Sequence, residues 1–499
     1  MYRTNDSDQL TFENFYLPFG GHLRGDNRWV ILSEQMPWSH IEQVYGDLFA
    51  SEEGCPAKSA RMAFGALFIK ERLGTSDRET VEQIKENPYL QYFIGMMEYN
   101  DEQAPFDPSL MTHFRKRFSQ AILSEINEWI LHGPPVADNA EKDKPIADSD
   151  DDKSDPTNEG KLIVDATCTP ADIAYPTDLS LLNEAREKSE QIIDAMHEPF
   201  IGLRRKPRTY RQAARKAYLA VAKQKKPGAR KIRKAVGKQL RYLRRNLGHI
   251  DRMVEEGGLC YVSRRLYRML LVIGELYRQQ RWMYETNTHS ISDRIVSLSQ
   301  PHIRPIVRGK AKASVEFGAK VSISLVNSFS YVDKISWDAY NESGDLKEQI
   351  NGYKRRFGCY PESVHADKIY RSIDNRRFCK KHGIRLSGPV LGRPSGDANI
   401  VKEQKKLQYQ DECDRIPVEG KFGQGKRRFC LSRIMAKLDT TSEATITMAF
   451  IVMNLEKILS GIVSFALFLY RLLLRGSLKI SVWADNLASA SIKEPASAV

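Results

Sequence analysis

Strict alternation of apolar and polar residues between positions 315 and 325 is the feature that most limits what this chain can fold into. The segment VEFGAKVSISLV places an apolar residue at every second position, and FSYVDKISW follows it after an Asn-Ser turn. Successive side chains of a strand point to opposite faces, so this period of two predicts a β-hairpin. The chain must therefore contain a sheet.

Further apolar runs predict strands that would join this hairpin. KLIVDATCTP precedes it and would deliver Asp165 at or near its end, PESVHADKIY follows it and ends near Asp367, and IRLSGPVL comes last. Helical segments separate the later strands. The order strand, large insertion, hairpin, helix, strand, helix, strand, helix predicts a mixed α/β sheet covered by helices and interrupted after its first strand.

Shifts in composition along the 499 residues indicate several domains. Residues 1–136 predict an all-α N-terminal domain, and the acidic, proline-bounded stretch 137–160 predicts a disordered linker. The sheet domain would combine 161–177 with 301–475, around a basic helical insertion at 178–300, and 476–499 would form a C-terminal tail. The insertion opens with LSLLNEAREKSEQIIDAMH, an amphipathic helix with Asp178 as its expected N-cap.

The N-terminal domain has three predicted helical segments. CPAKSARMAFGALFIKERLG has Pro56 placed for its first turn, RETVEQIKENPYLQYFIG is the second, and FDPSLMTHFRKRFSQAILSEINEWIL is the third, with Arg115, Lys116 and Arg117 near its start. Helix, turn, helix and a basic third helix favour a module that reads DNA through these three cations. A small helical bundle with a solvated basic face fits the same pattern.

The charge balance suggests a polyanionic partner. Lysine and arginine number 76 against 63 acids, a net charge of +13, and Pro199 to Ile250 holds eighteen Lys or Arg without one acid. Such an acid-free run favours contact with a nucleic-acid backbone, although a basic run is usually a solvated face. The side chains expected to contact DNA here are Arg204, Arg205, Lys225, Lys226, Arg244 and Arg245.

Cysteine spacing and hydropathy suggest where the protein works. Seven cysteines without a C-x-x-C pair fit a reducing cytoplasm and argue against a structural zinc site. The N-terminus lacks the apolar core of a signal peptide. The most apolar segment, AFIVMNLEKILSGIVSFALFLYRLLL, is interrupted by Glu456, Lys457 and Arg471 and therefore predicts buried core helices. We expect a cytoplasmic protein with no membrane partner.

The stretch RIPVEGKFGQGKRR, from Arg415 to Arg428, allows two incompatible interpretations. From Gly420 it reads G-x-x-x-x-G-K, most of a phosphate-binding P-loop, and from Arg415 it reads R-x3-E-x6-K. A P-loop needs a strand before its first glycine and a Ser or Thr after its lysine. A proline interrupts the preceding residues here and Arg427 follows the lysine, so the sequence disfavours nucleotide hydrolysis.

The second interpretation gains from the two acids that end apolar strands. Asp165, Asp367 and Glu419 would repel one another at one sheet edge unless cations lie between them. Two Mg²⁺ ions held by these carboxylates can activate a water or a 3′-hydroxyl and stabilise the leaving oxygen of a phosphodiester. Taken singly, each acid also has an ordinary structural explanation, as a turn, a helix cap or a surface charge.

Nearby side chains could serve the same chemistry. Arg415 and Lys426 lie close to one helical face with the third acid, so both could bind phosphates beside the metals. Lys368 directly follows the second acid and either touches phosphate or is solvated. His365, two residues before that acid, is either a further ligand or a packed histidine.

These residues resemble the DDE transposases of bacterial insertion sequences, in the group whose third acid lies in a Y-x2-R-x3-E-x6-K signature. Arg415, Glu419 and Lys426 match that signature, while DATCTPADIAYPTDLSLLNEAR and HADKIYRS are similar to the first and second acid segments. Residues 10 to 130 are similar to the helical N-terminal domain of the family. The signature tyrosine is absent, because its position holds Glu412 and the nearest tyrosine is Tyr409.

The resemblance implies a ribonuclease H-like catalytic core in which Asp165, Asp367 and Glu419 hold two Mg²⁺ ions that Mn²⁺ can replace. It implies cleavage and strand transfer at inverted-repeat ends, with double-stranded DNA of transposon and target as partner and a homodimer in the assembled complex. A DNA-binding protein without catalysis and a plain metal-dependent nuclease are the alternatives. The absence of the signature tyrosine leaves open whether a DNA hairpin forms as an intermediate.

Overall fold

The computed structural model describes residues 2, 11–49, 56–134, 157–310, 313–389, 392 and 397–490. Most of the predicted acidic linker lies outside these residues, as do Cys55 and the last part of the predicted tail. The chain divides into two compact units. Unit 1 comprises Met1–Asp151, Asn327–Tyr331 and Thr447–Val499, and unit 2 comprises Asp152–Val326 and Val332–Ile446.

Unit 1 is helical, as the sequence predicts, but its helices are shorter than the predicted segments. The first predicted helix begins at Ala60, with Ser59 as its N-cap, and ends at Gly74 in the left-handed region; Pro56 lies before it. The other two predicted segments are each divided, at Asn87 and at Phe118. The helices before the linker are α1 Arg28–Glu34, α2 Trp38–Gly46, α3 Ala60–Leu73, α4 Asp77–Glu86, α5 Pro88–Phe93, α6 Leu110–Arg117 and α7 Gln120–His132.

The divisions follow from local chemistry. The Asn87 side chain accepts a hydrogen bond from the Tyr89 backbone N–H, and Pro88, which has no N–H, begins the next helix at its first position. Ser119 caps α7 in the same way by accepting from the Ile122 N–H. Each apolar run therefore contains a start signal for a second helix.

The chain contains a mixed sheet, and all of its strand residues except Phe329–Tyr331 belong to unit 2. Its strands are β1 Lys161–Pro170, β2 Arg304–Lys310, β3 Ala313–Val326, β4 Phe329–Ser336, β5 Ser363–His365 and β6 Arg385–Leu386. The order is β2-β3-β1-β5-β6, with β4 also paired to β3. The strands β1, β5 and β6 run parallel, and β1 pairs antiparallel with β3. The predicted hairpin is confirmed, and its turn residues Asn327 and Ser328 adopt positive φ angles of 50° and 68°.

Two strand predictions were wrong in detail. Asp165 does not end β1, because the strand continues to Pro170 through its pairing with β3. The parallel pairing of β1 with β5 does stop at Ile163, opposite His365, so Asp165 lies just beyond it. Strand β2 was not predicted, because its sequence RPIVRGK has a proline at its second position and lacks strict alternation.

The helical insertion folds around a core of its own. It comprises α8 Asp178–His197, α9 Arg211–Ala222, α10 Ala229–Glu255 and α11 Arg264–Thr286. Its buried core includes Leu182, Leu243 and Leu276. The N-cap of α8 is Thr177, in a capping box with Ser180, and not the predicted Asp178. Asp178 instead accepts hydrogen bonds from Gln280 and Arg294 of the insertion.

The remaining helices of unit 2 are α12 Leu346–Phe357, α13 Ile373–Lys381 and α14 Ala398–Arg428. Three glycines follow Glu419 within six residues, and glycine is a poor helix former. Helix α14 nevertheless continues through Gly420, Gly423 and Gly425 to Arg428, with Pro417 inside it. Glu419 is therefore held on a continuous helix.

The last helix, α15, spans Asp439–Ala490 without a break at Glu456 or Lys457, where the sequence analysis expected two helices. The charge of Glu456 is compensated by Arg72, whose Nε donates at 2.6 Å, and the Lys457 ammonium lies 5.4 Å from the centre of the Phe329 ring. In the part of the chain that the structure describes, Asp439–Phe465 is the one stretch long and apolar enough to cross a membrane. Its apolar window is 56% buried inside the protein, as in a core helix.

Candidate active site

All three predicted acids line one cavity in unit 2. The cavity has a volume of about 890 Å³ and also receives Arg415 and Lys426. Asp165 comes from β1, Asp367 from the loop after β5, and Glu419 from α14. Residues that are far apart in the sequence therefore line the same cavity.

Strand register explains why the two aspartates meet. Ile163 of β1 lies opposite His365 of β5. Asp165 follows two residues later on β1, and Asp367 follows two residues later in the loop after β5. Each carboxylate is also fixed by a backbone N–H of the next residue: Ala166 N donates to Asp165 at 2.8 Å, and Lys368 N donates to Asp367 at 2.6 Å.

Helix α14 is attached to the sheet through two acids that precede Glu419. Asp411 accepts two hydrogen bonds from the Arg385 guanidinium of β6, at 2.8 and 3.0 Å. Asp414 accepts one from Lys161 Nζ of β1, at 2.7 Å. Because both contacts lie within the two turns before Glu419, they set the position of its carboxylate relative to the strands.

His365 belongs to this attachment and does not line the cavity. It is fully buried, with Nδ1 3.5 Å from Asp411 Oδ1 and Nε2 3.0 Å from the Ser363 hydroxyl. Burial lowers the pKa of the imidazole, against the raising effect of Asp411 and Asp414. The packed role that the sequence left open for this histidine is the one that the structure supports.

Arg415 lies between two of the acids. Its guanidinium is 3.7 Å from Asp367 Oδ1 and 3.8 Å from Glu419 Oε1. Burial raises the pKa of Asp165 to about 6; Arg415 opposes that effect, while Asp367 and Glu342 add to it. The carboxylates thus form a region of like charge that one guanidinium partly neutralises.

Two charged lining residues were not predicted from the sequence. Lys320 of β3 and Glu342, in the loop before α12, form an ion pair at the cavity wall. Lys320 also donates to the Tyr340 carbonyl at 2.8 Å. Lys320 occupies a polar position of the alternating segment, so the sequence indicates on which face of the strand it lies. Nothing in the sequence connects Glu342 with the acids.

The cavity has the right donor chemistry for magnesium, but it is not a closed metal site. Carboxylate oxygens are the ligands that Mg²⁺ prefers. Burial is the main cause of the raised pKa of Asp165, and a cation between the acids would relieve the repulsion from Asp367 that adds to it. Among the described residues, no three His, Cys, Asp or Glu side chains lie close enough together to hold a metal ion. Arg415 contacts both Asp367 and Glu419, the acids that a shared cation would also contact.

The predicted DNA contacts of the N-terminal helices are not equally accessible. Arg115 is buried and binds Asp77 with two hydrogen bonds, at 2.9 and 2.5 Å. Its guanidinium is therefore engaged within unit 1. Arg117 is partly buried, with its guanidinium 4.0 Å from the centre of the Phe49 ring, whereas Lys116 is exposed.

The predicted basic contacts in unit 2 are exposed. Arg204 pairs with Glu256 at 2.5 Å, and Arg245 stacks on Tyr210 at 4.6 Å from the ring centre. Lys368 is exposed next to Asp367 but does not line the cavity. The other predicted side chains, which are also exposed, are Arg205, Lys225, Lys226 and Arg244.

Comparison with known proteins adds to this geometry. Residues 364–456, which include Asp367, Glu419 and the two cations of the motif, match the family model "Transposase DDE domain". Residues 19–117 match the model "Transposase domain (DUF772)". The Rhizobium meliloti protein described as "Uncharacterized protein ORF8 in nfe locus" is 31% identical over 156 residues, which cover 31% of this chain and 68% of that protein. No solved structure matches the chain significantly.

Both matched domains are transposase domains, and the DDE match coincides with the second and third acids of the cavity. Proteins of this kind act on DNA and generally use divalent metal ions. The chain belongs to the DDE transposases of insertion sequences.

Proposed function

We propose that the protein binds the inverted-repeat ends of an insertion sequence, cleaves DNA strands there and transfers them to target DNA. One observation carries this proposal: Asp165, Asp367 and Glu419 line a single cavity together with Arg415 and Lys426. The proposal extends to a ribonuclease H-like core. The support for that core is the central parallel pair β1 and β5 with an acid beyond the pairing on each strand, and an antiparallel hairpin beside β1.

The three carboxylates would hold two Mg²⁺ ions, or Mn²⁺ in their place. When bound, such ions activate the attacking oxygen and stabilise the leaving oxygen of a phosphodiester. The backbone N–H groups of Ala166 and Lys368 hold the two aspartate carboxylates in place. Glu419 is the most exposed of the acids that pair with Arg415, with 67% of its side chain accessible.

The cations of the cavity would bind phosphate. Arg415 and Lys426 line the cavity from α14, and Lys320 lines it from β3. Guanidinium groups bind phosphate oxygens with two parallel hydrogen bonds, and ammonium groups bind them as point charges. The scissile strand would therefore lie between α14 and the sheet, with Lys368 at the edge.

The other parts of the chain would hold the DNA around this cavity. We assign DNA binding to the helical region 1–136, through Lys116 and Arg117, and to the basic insertion 178–300. The catalytic domain would comprise 161–177 and 301–475, with 137–160 as linker and 476–499 as tail. Pairing of two DNA ends requires two active sites, so the working form would be a cytoplasmic homodimer bound to double-stranded DNA.

The proposal is tested by cleavage of a plasmid that carries the DNA flanking this protein's own coding region. We expect cuts at the repeat ends in Mg²⁺ and none in EDTA, with joined products when target DNA is added. Cleavage without joining and without preference for the ends would identify a plain nuclease. Gel retardation of the same DNA without any cut would identify a protein that only binds.

The role of the insertion is tested by the salt dependence of DNA binding. Lys225 and Lys226 are exposed in the loop before α10, and neutralising both as Lys225→Gln with Lys226→Gln should lower the slope of log K against log salt by about 1 to 2. Arg278→Gln with Arg281→Gln is the matched control, because these exposed arginines are already paired with Glu275 and Glu285. Equal slopes for both double variants would contradict backbone contact at Lys225 and Lys226.

A further inference from the structure

A second cavity lies within the insertion and shares no lining residue with the cavity of the acids. We call it the arginine cavity; its volume is about 320 Å³. It opens between the end of α8, the loop that leads to α9, and the last turns of α10. It is lined by Met196, His197, Phe200, Arg204, Arg205, Pro207, His249, Arg252, Met253, Glu256 and Gly258.

One side of the arginine cavity is apolar. Met196 is fully buried, and Phe200, Pro207 and Met253 extend this surface. Phe200 is held edge-on against Tyr261, with ring centres 5.7 Å apart. A flat aromatic ring fits such a surface, because methionine adapts to the shape of its partner and a base stacks on an aromatic side chain.

The other side carries positive charge. Arg205 is exposed and makes no ion pair with any residue that the structure describes. Arg252 donates to the Gly248 carbonyl at 3.1 Å and to His249 Nδ1 at 2.7 Å, neither of which is an acid. The acid of the lining, Glu256, is already paired with Arg204.

The surroundings of His249 show the same excess of positive charge. Burial lowers the pKa of its imidazole, and the guanidinium groups of Arg252 and Arg245 lower it further, against a hydrogen bond with the Arg208 backbone. An anion placed between Arg205 and Arg252 would meet no competing carboxylate except Glu256, whose charge Arg204 compensates.

An apolar wall beside unpaired guanidinium groups matches a molecule with an aromatic ring at one end and an anion at the other. We propose that the arginine cavity binds a single nucleotide, with its base against Met196, Phe200 and Met253 and its phosphate on Arg205 and Arg252. The proposed function supplies its source, since a nucleotide of bound DNA that has left the base stack presents both groups. Free nucleotide offers the same chemistry.

The test follows the methionine methyl groups of the full chain by NMR. With methionine labelled by ¹³C at the methyl, the Met196 and Met253 signals are assigned from Met→Leu variants. Three probes are then titrated: a duplex of the DNA that flanks the coding region, 2′-deoxyadenosine 5′-monophosphate, and inorganic phosphate. A base stacked on these methyl groups shifts both signals through its ring current.

Shifts with the duplex would identify a nucleotide of DNA as the ligand, and shifts with the mononucleotide alone would identify a free nucleotide. No shift with either probe would overturn the proposal, as would equal shifts with phosphate alone. Cleavage of the flanking DNA is assayed on the same preparation. Methyl shifts without cleavage would leave this inference standing while the proposed function fails.

Substitutions at Arg205 and Phe200 distinguish a specific binding site from non-specific electrostatic attraction. Arg205→Gln should weaken binding of the nucleotide probe about tenfold or more, because a hydrogen bond to a charged group contributes about 1.5–3 kcal/mol. Arg205→Lys should restore part of the lost affinity. Phe200→Ala should weaken it at least about fivefold through lost stacking. Arg265→Gln, which removes an exposed arginine of α11 outside the cavity, should change little. Equal losses of affinity in the Arg205→Gln and Arg265→Gln variants would show that the probe binds only through non-specific electrostatic attraction. That result would refute the site.

Discussion

Replacing Glu419 by glutamine should lower magnesium-dependent cleavage at the ends of the flanking DNA at least about 1000-fold, because each tenfold corresponds to about 1.4 kcal/mol of barrier and a metal contributes several kcal/mol. The substitution keeps the size of the side chain and removes its charge. The Glu419 side chain is 67% exposed, and its contact with Arg415 is 3.8 Å long, so the fold should not change. DNA binding should stay within about twofold, because phosphate contacts come from the cations.

The measurement is the rate of cleavage of the flanking-DNA plasmid in Mg²⁺, with gel retardation of the same fragment. Glu412→Gln is the matched control, since this exposed acid lies on the same helix and does not line the cavity. Cleavage at the wild-type rate by the Glu419→Gln variant would show that this acid is not part of the active site. Equal losses of cleavage in the Glu419→Gln and Glu412→Gln variants would show that cleavage depends on the total charge of α14. It would not then depend on the position of Glu419.

Replacing Arg415 by glutamine should have two opposite effects. In the absence of DNA, Mn²⁺ should bind about tenfold more tightly, because the guanidinium no longer competes with the cation for Asp367 and Glu419. Two charges 4 Å apart interact by about 4 kcal/mol at an effective dielectric constant of about 20. Asp367 is 53% exposed, so solvent screening reduces the expected gain to about 1.4 kcal/mol. Cleavage should fall about 100-fold or more, since a phosphate contact is lost.

Mn²⁺ binding to the DNA-free protein is measured by the electron paramagnetic resonance signal of the free ion, and cleavage by the plasmid assay. Arg427→Gln removes an exposed arginine from the same helix outside the cavity and serves as control. Weaker Mn²⁺ binding by Arg415→Gln would show that the arginine supports the metal site and does not compete with it. Tighter binding with unchanged cleavage would show that Arg415 does not contact the substrate.

Much of unit 2 follows from local sequence patterns. The alternation in VEFGAKVSISLV and the helical segments that separate the later strands predict β3, α12 and α13 correctly, because these patterns depend on neighbouring residues. Strand β2 escaped prediction because its partner, and not its own sequence, makes it a strand. The end of β1 was misplaced for the same reason, since β3 continues to pair beyond Asp165.

The sequence identifies residues of the candidate site but does not show how they are arranged in space. Spacing places Arg415, Glu419 and Lys426 near one face of a helix, and the structure brings all three to one cavity. Spacing does not show that Arg415 lies between two acids, because Asp367 comes from another element. Arg115 shows the same limit: only the tertiary contact with Asp77 distinguishes it from its exposed neighbour Lys116.

The separate core of the insertion has a consequence for how such proteins diverge. Helices α8 to α11 pack on one another around Leu182, Leu243 and Leu276, so the outward positions of α9 and α10 contribute little to the stability of the sheet. Substitutions at those positions are usually close to neutral for folding. Under the proposed DNA-binding role of the insertion, this surface can change while the three acids and the elements that carry them stay the same. DNA binding and chemistry would then evolve at different rates within one chain.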